Sequence, residues 1–149
     1  TANVVRACKN NNTKLIFFST NYVYPGKKGP YSENDNLNPI NNYGWSKLGG
    51  ESAVQMYKNS LILRVCMTEK PFVHQYAFSN VTTNFMFHDD FAKVFHKLIN
   101  KKGVINVGGK RQTVFNFVKF HKKKVKKKIS KDSSLDHSID IKKFKKIIG

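Results

Sequence analysis

Apolar positions in this chain come in two kinds of run. KLIFFST (14–20) and SLILRV (60–65) are short, unbroken and without alternation, the pattern of strands buried on both faces of a parallel sheet. Between them lies NYVYPGKKGPYSENDNLNP (21–39), punctuated by Pro-Gly, Gly-Pro and Asn or Asp turn residues, which predicts a long loop. A helix is expected from about Asn41 to Tyr57. Strand, loop, helix and strand make a βαβ unit and predict an α/β fold. Before the first strand, Val4, Val5 and Cys8 recur at helical spacing, so residues 2–10 predict the end of a helix.

Beyond Val65 the pattern loosens. MTEKPFVHQYAFSNVTTN (67–84) predicts a loop-rich excursion and FMF (85–87) a short strand. HDDFAKVFHKLIN (88–100) predicts a helix capped by Asp89 or Asp90, with Phe91, Val94, Phe95 and Leu98 on one face. GVINVGG (103–109) predicts a strand and turn. TVFNFVKFHKKKVKK (113–127) predicts a helix with Val114, Phe117, Val118 and Val125 as its apolar stripe, and DIKKFKKII (140–148) follows. There is no internal repeat.

Length and composition allow one real core. The 149 residues are 40% hydrophobic and 13% aromatic, mostly Phe. No apolar run approaches the ~18 residues of a membrane-spanning helix, and TANVVRACKNNN lacks a signal-peptide layout. Cys8 and Cys66 have neither CxxC nor metal-ligand spacing, so two reduced thiols and a cytoplasmic location are expected.

A net charge of +18 raises the possibility of a polyanion partner. Only Arg6, Arg64 and Arg111 are arginines, the residue that dominates specific base contacts. The excess lies in HKKKVKKKISK (121–131) and KKFKK (142–146), which read as solvated lysine on the exposed faces of helices. Nucleic-acid binding is therefore the weaker reading. His88-Asp89-Asp90 reads as a helix cap, so no metal is expected. Gly108-Gly109 reads as a turn after a strand, without the later Gly and Lys-Ser/Thr of a phosphate loop.

The candidate chemistry is in NPINNYGWSKLGGE (38–51), where Tyr43 and Lys47 sit four apart. On one helix face such residues meet. An ammonium one turn from a phenol favours the phenolate, and the phenol then passes a proton to a carbonyl oxygen while hydride arrives at carbon. The spacing by itself also fits a surface tyrosine and lysine, because lysine is so common here. Ser19 and Thr20 end the first strand, where ligands bind in open α/β sheets, so a third hydroxyl is at hand.

The longer segment STNYVYPGKKGPYSENDNLNPINNYGWSKLGGE resembles the active-site segment of the extended short-chain dehydrogenase/reductases, most of all the dTDP-4-dehydrorhamnose reductase type of sugar-nucleotide enzyme. LILRV, NFMFHDD, GVINVGGKRQTVFNFVK and SSLDHSIDIKKFKKI resemble that family's later segments in order, so nearly the whole chain is covered. The resemblance implies the C-terminal part of a Rossmann-type doubly wound parallel sheet (residues 1–66), followed by a small substrate-binding lobe with a returning core strand and C-terminal helices (67–149).

It also implies roles. Thr20 would hydrogen-bond the substrate oxygen, Tyr43 would be the general acid/base, and Lys47 would support Tyr43 and bind the nicotinamide ribose. Ser19 and Val65 would line the cofactor side of the cleft, and Asn21 and Tyr22 the substrate side. The implied cofactor is NAD(P)H and the implied substrate a nucleotide-linked sugar, with reductase, epimerase or dehydratase chemistry left open. Some relatives are regulatory subunits, which leaves a non-catalytic role open as well.

Two departures stand out. Asn21 replaces the usual Asp, and Cys66-Met67 replaces a Thr/Ser pair. No Gly-x-x-Gly-x-x-Gly turn is found, so this chain is expected to lack four βα units of the complete protein and to bind no dinucleotide alone. The first strand is then expected to be a bare apolar edge, completed by a separate N-terminal half or by another copy of the chain.

Overall fold

A computed structural model describes residues 1–122, 124–131 and 135–149. Lys123 of the basic run and the Ser133-Ser134 lead of the C-terminal segment lie outside the described residues.

The expected βαβ unit is present. α1 (Ala2–Asn10) precedes β1 (Leu15–Thr20), α2 (Asn42–Gln55) and β2 (Ser60–Val65). β7 (Gly103–Val107) returns to pair with β2, giving an all-parallel sheet in the order β1-β2-β7. Alternate side chains of β2 serve opposite layers. Leu61 and Leu63 join Ile105, Val107, Phe91, Leu98 and Phe144 in one core. Ile62 joins Val5, Val54 and Tyr57 in the other. Helices α1 and α2 therefore cover one face, and α3 (His88–Phe95) and α5 (Lys142–Ile148) cover the other. β2 is buried along nearly its whole length, as its apolar run predicts. β1, one of the two edge strands of this sheet, is only half-buried and leaves Phe18 39% exposed.

Residues 67–84 are less loop-like than expected. They contain β3 (Met67–Thr68), β4 (Tyr76–Phe78) and β5 (Val81–Thr83). β3 pairs with β6 (Met86–Phe87), and β5 lies between β8 (Gln112–Thr113) and β10 (Leu135–Asp136). Phe72, Ala77, Val81, Phe87, Val114, Phe117 and Val118 form a separate core beneath them. These strands are two or three residues long, too short for a period-2 signal to register.

Two helices end earlier than the periodicity predicts. α3 stops at Phe95, and a looser turn carries Leu98 into the core with no solvent exposure. Its N-cap is Phe87; Asp89 and Asp90 lie in the first turn, where their charge complements the helix dipole. α4 (Val114–His121) breaks before Val125. The Lys122 ammonium donates to the carbonyls of Phe72 (3.0 Å) and His74 (3.2 Å). β9 (Lys126–Lys128) then pairs in parallel with β4. Continued helix would stack like charges three and four residues apart, which is unfavourable. Most described residues of the basic run are thus exposed, but three of its lysines, Lys126–Lys128, lie on a strand and not on a helix face.

Candidate active site

The site is built where β1 and β2 end. Thr20 Oγ1 accepts from the Tyr22 amide (3.2 Å) and turns the chain into a short 3-10 segment, Asn21–Val23. On the facing element, Asn41 Oδ1 accepts from the Gly44 amide (2.8 Å) and caps α2. Gly44 lies against the Tyr22 carbonyl, and any Cβ there would collide with it. A glycine at this position lets the first turn of α2, with Tyr43, sit directly on the turn after β1. The rings of Tyr22 and Tyr43 meet edge to face at 6.5 Å.

A cleft of about 310 Å³ opens there. Ser19, Thr20, Asn21, Tyr22, Tyr43, Lys47 and Val65, all singled out in the sequence, line it together. Phe18, Met67, Phe85 and His88 complete the wall. Phe85 and His88 carry no sequence signal for the site, since the second lobe brings them in. Tyr43 is 55% exposed and open to a ligand. The Lys47 ammonium lies 4.8 Å from the centre of the Phe17 ring, on the cleft side of α2. Ser19 Oγ is buried with no hydrogen-bond partner, which leaves a polar atom for a bound group to satisfy.

Tyr22 is held protonated. Burial pushes its phenol above the ordinary value, and Cys66 and Tyr43 add to the effect. Asn21 is buried, with Nδ2 donating to the His137 carbonyl (3.0 Å) and Oδ1 accepting from Thr20 Oγ1 (3.4 Å). Its amide is therefore occupied by protein groups on both ends. Cys66 sits behind the cleft with its sulfur 3.0 Å from Thr83 Oγ1. Burial pushes its thiol up to about 11, although the Thr83 hydrogen bond works the other way. At neutral pH it is not a thiolate. A native-state thiol titration with an aromatic disulfide reagent should therefore modify Cys8, which is half-buried, well before Cys66. Equal rates at the two sites would contradict this.

A buried polar network anchors α2. Glu51 is two turns beyond Tyr43 on α2, and its carboxylate pairs with Arg64 on β2 at 2.8 Å. Arg64 Nη1 also donates to the Tyr24 hydroxyl (2.8 Å) and the Glu33 carbonyl (3.1 Å). The Tyr24 hydroxyl donates to Asn106 Oδ1 on β7 (2.9 Å), and Tyr24 stacks on Tyr31. Burial works against the Arg64 charge, but Glu51 and Tyr24 more than offset it and hold the guanidinium above its ordinary value.

The cleft shares Tyr22, Met67 and Phe85 with a larger cavity of about 790 Å³ in the second lobe. Phe72, Tyr76, Phe78, Lys128 and His137 are among its walls. Among the described residues, no cluster of His, Cys, Asp and Glu could hold a metal ion, and no helix is long and apolar enough to cross a membrane.

Residues 1–108 match the family model described as RmlD substrate binding domain. The chain is 48% identical over 52 residues to methionine adenosyltransferase 2 subunit beta of Danio rerio, which is 34% of this chain and 16% of that protein. A hypothetical dTDP-4-dehydrorhamnose reductase from Sulfolobus tokodaii superposes with a TM-score of 0.85 at 28% identity, over 99% of this chain and 63% of that one. A dTDP-4-dehydrorhamnose reductase from Bacillus anthracis, solved in complex with NADP, superposes with a TM-score of 0.82 at 21% identity, over 97% of this chain and 61% of that one. The chain thus spans less than two thirds of the length of these structures, and its fold is that of an RmlD-like reductase.

Proposed function

Because the chain belongs to the RmlD substrate binding domain family, we propose that it is the catalytic and substrate-holding portion of an NAD(P)-dependent sugar-nucleotide oxidoreductase. The observation that carries this reading is the convergence of Ser19, Thr20, Tyr43, Lys47 and Val65 on one cleft at the carboxyl ends of parallel strands. Residues 1–66 hold the catalytic helix and residues 67–149 the substrate lobe, with β7 returning to the sheet.

The residues present fit a nicotinamide and its ribose. The partnerless hydroxyl of Ser19, the Lys47 ammonium and the end of β2 at Val65 face the same space. When bound, NAD(P)H supplies the hydride that reduces the sugar carbonyl. Thr20 turns its hydroxyl hydrogen from Asn21 Oδ1 to the carbonyl oxygen, and Tyr43 gives that oxygen its proton. Lys47 holds the ribose hydroxyls and stabilises the phenolate left on Tyr43. Asn21 and Tyr22 shape the substrate side, and Tyr22 stays neutral throughout.

The test is NADPH oxidation by the chain joined to a glycine-rich dinucleotide-binding portion, with dTDP-4-dehydrorhamnose as substrate. Oxidation that requires the sugar nucleotide is the expected result. NADP binding without turnover on dTDP- or UDP-linked keto sugars would reject it. That outcome would favour a non-catalytic subunit, the reading suggested by the 48% identity to an adenosyltransferase subunit.

A further inference from the structure

We propose that Asn21 and His137 form a specificity-determining pair. The Asn21 amide holds the C-terminal segment against the turn after β1, and His137 thereby presents an imidazole N–H to the larger cavity. That donor selects a substrate with an oxygen acceptor at this point. The role assigned to the pair rests on the oxidoreductase reading of the adjoining cleft.

Asn21 is the positioning residue. Its Nδ2 donates to the His137 carbonyl, while its Oδ1 takes the Thr20 hydrogen. An amide does both, whereas an ionised carboxylate accepts and cannot donate. An aspartate here would set a buried charge against the His137 carbonyl. The Asn found where an Asp is usual in the resembled family is thus matched to the segment it holds.

His137 is fixed by its backbone as well. Its amide donates to the Thr82 carbonyl (2.9 Å), and the preceding Asp136 amide donates to the Gly26 carbonyl (3.1 Å). Gly26, at φ 71°, lies so close to the Nδ1–Cε1 edge of the ring that any Cβ would overlap it. Nδ1 is buried and has no partner. A buried N–H without an acceptor is rarer than an under-satisfied lone pair, so the proton belongs on Nε2. The Nε2–Cδ2 edge is the one left to line the cavity, beside the Tyr22 ring at 5.9 Å. Burial holds the ring below the ordinary histidine value, against the opposing effect of Asp136, and keeps it a neutral donor.

Proton–nitrogen NMR of the purified chain tests this directly, with dTDP-glucose as the titrated probe. The expected result is an Nε2–H tautomer at His137 whose signals move on titration. His137→Phe should weaken binding by about tenfold, the effect of one lost hydrogen bond. His137→Gln, which keeps a donor, should recover part of it. Asn21→Asp should give a mixed tautomer signal. An Nδ1–H tautomer overturns the proposal. So does movement of Tyr22 and Phe85 with His137 unmoved, an outcome that leaves the oxidoreductase reading intact. No movement at any cleft residue overturns both. If the variants fail to fold, the wild-type titration decides alone.

Discussion

Replacing Tyr43 with Phe is expected to lower turnover by about 10²–10⁴-fold, the usual worth of a positioned general acid. The phenyl ring keeps the edge-to-face contact with Tyr22 and removes only the hydroxyl. The half-exposed position of Tyr43 makes a large stability cost unexpected. Steady-state kinetics on the chain joined to a dinucleotide-binding portion should show kcat falling with KM little changed, because the lost interaction belongs to the transition state. A rise in KM at constant kcat would make Tyr43 a binding residue and remove the proton-transfer assignment. Thr20→Val is the companion measurement. It deletes the donor to the substrate oxygen and the cap on the Tyr22 amide, so both kcat and stability should fall.

The second large effect concerns stability. Glu51→Ala should cost about 3–5 kcal/mol, because it leaves the Arg64 guanidinium buried without its carboxylate. The Glu51 and Arg64 side chains are 0% and 3% exposed, so water cannot take the partner's place. Urea unfolding of the two proteins measures the difference. A double replacement by apolar residues of similar volume should recover most of the loss, since two desolvated charges then disappear together. A loss under about 1 kcal/mol for Glu51→Ala would mean that the pair is solvated in the folded protein. The same network ties α2 to β2, β7 and the loop after β1, so Glu51→Ala should also loosen the position of Tyr43 and Lys47.

The segment from Ser19 to Glu51 was the most legible in the sequence. It is contiguous, and its geometry is local: a strand end, a capped helix, and side chains four apart on one face. The start of the helix near Asn41 and the Tyr43–Lys47 spacing could be read because neither depends on distant chain. Phe85, His88 and His137 could not be read as parts of the site. Each belongs to an element whose position is set by pairing with residues far away, as when the Asn21 side chain meets the His137 carbonyl.

The limits of helices α3 and α4 follow the same logic. Their apolar spacing continues past their ends, but Leu98 reaches the core through a turn, and Lys122 leaves α4 for the carbonyls of Phe72 and His74. Long-range hydrogen bonds overrode local periodicity there. The half-buried state of β1 is another such case, because an apolar run records what a strand is suited to cover and not what lies beside it.

The sequence by itself determined the α/β class, the strands β1 and β2, the helix between them and the meeting of Ser19 and Thr20 with Tyr43 and Lys47. These follow from short-range periodicity, caps and spacing. Tertiary structure alone decided the three-stranded order, the 790 Å³ cavity, the anchoring of α2 by Arg64 and the tether between Asn21 and His137. The physical reason is that a buried polar group takes its partner from whatever the fold brings near, and chain spacing carries no record of that choice.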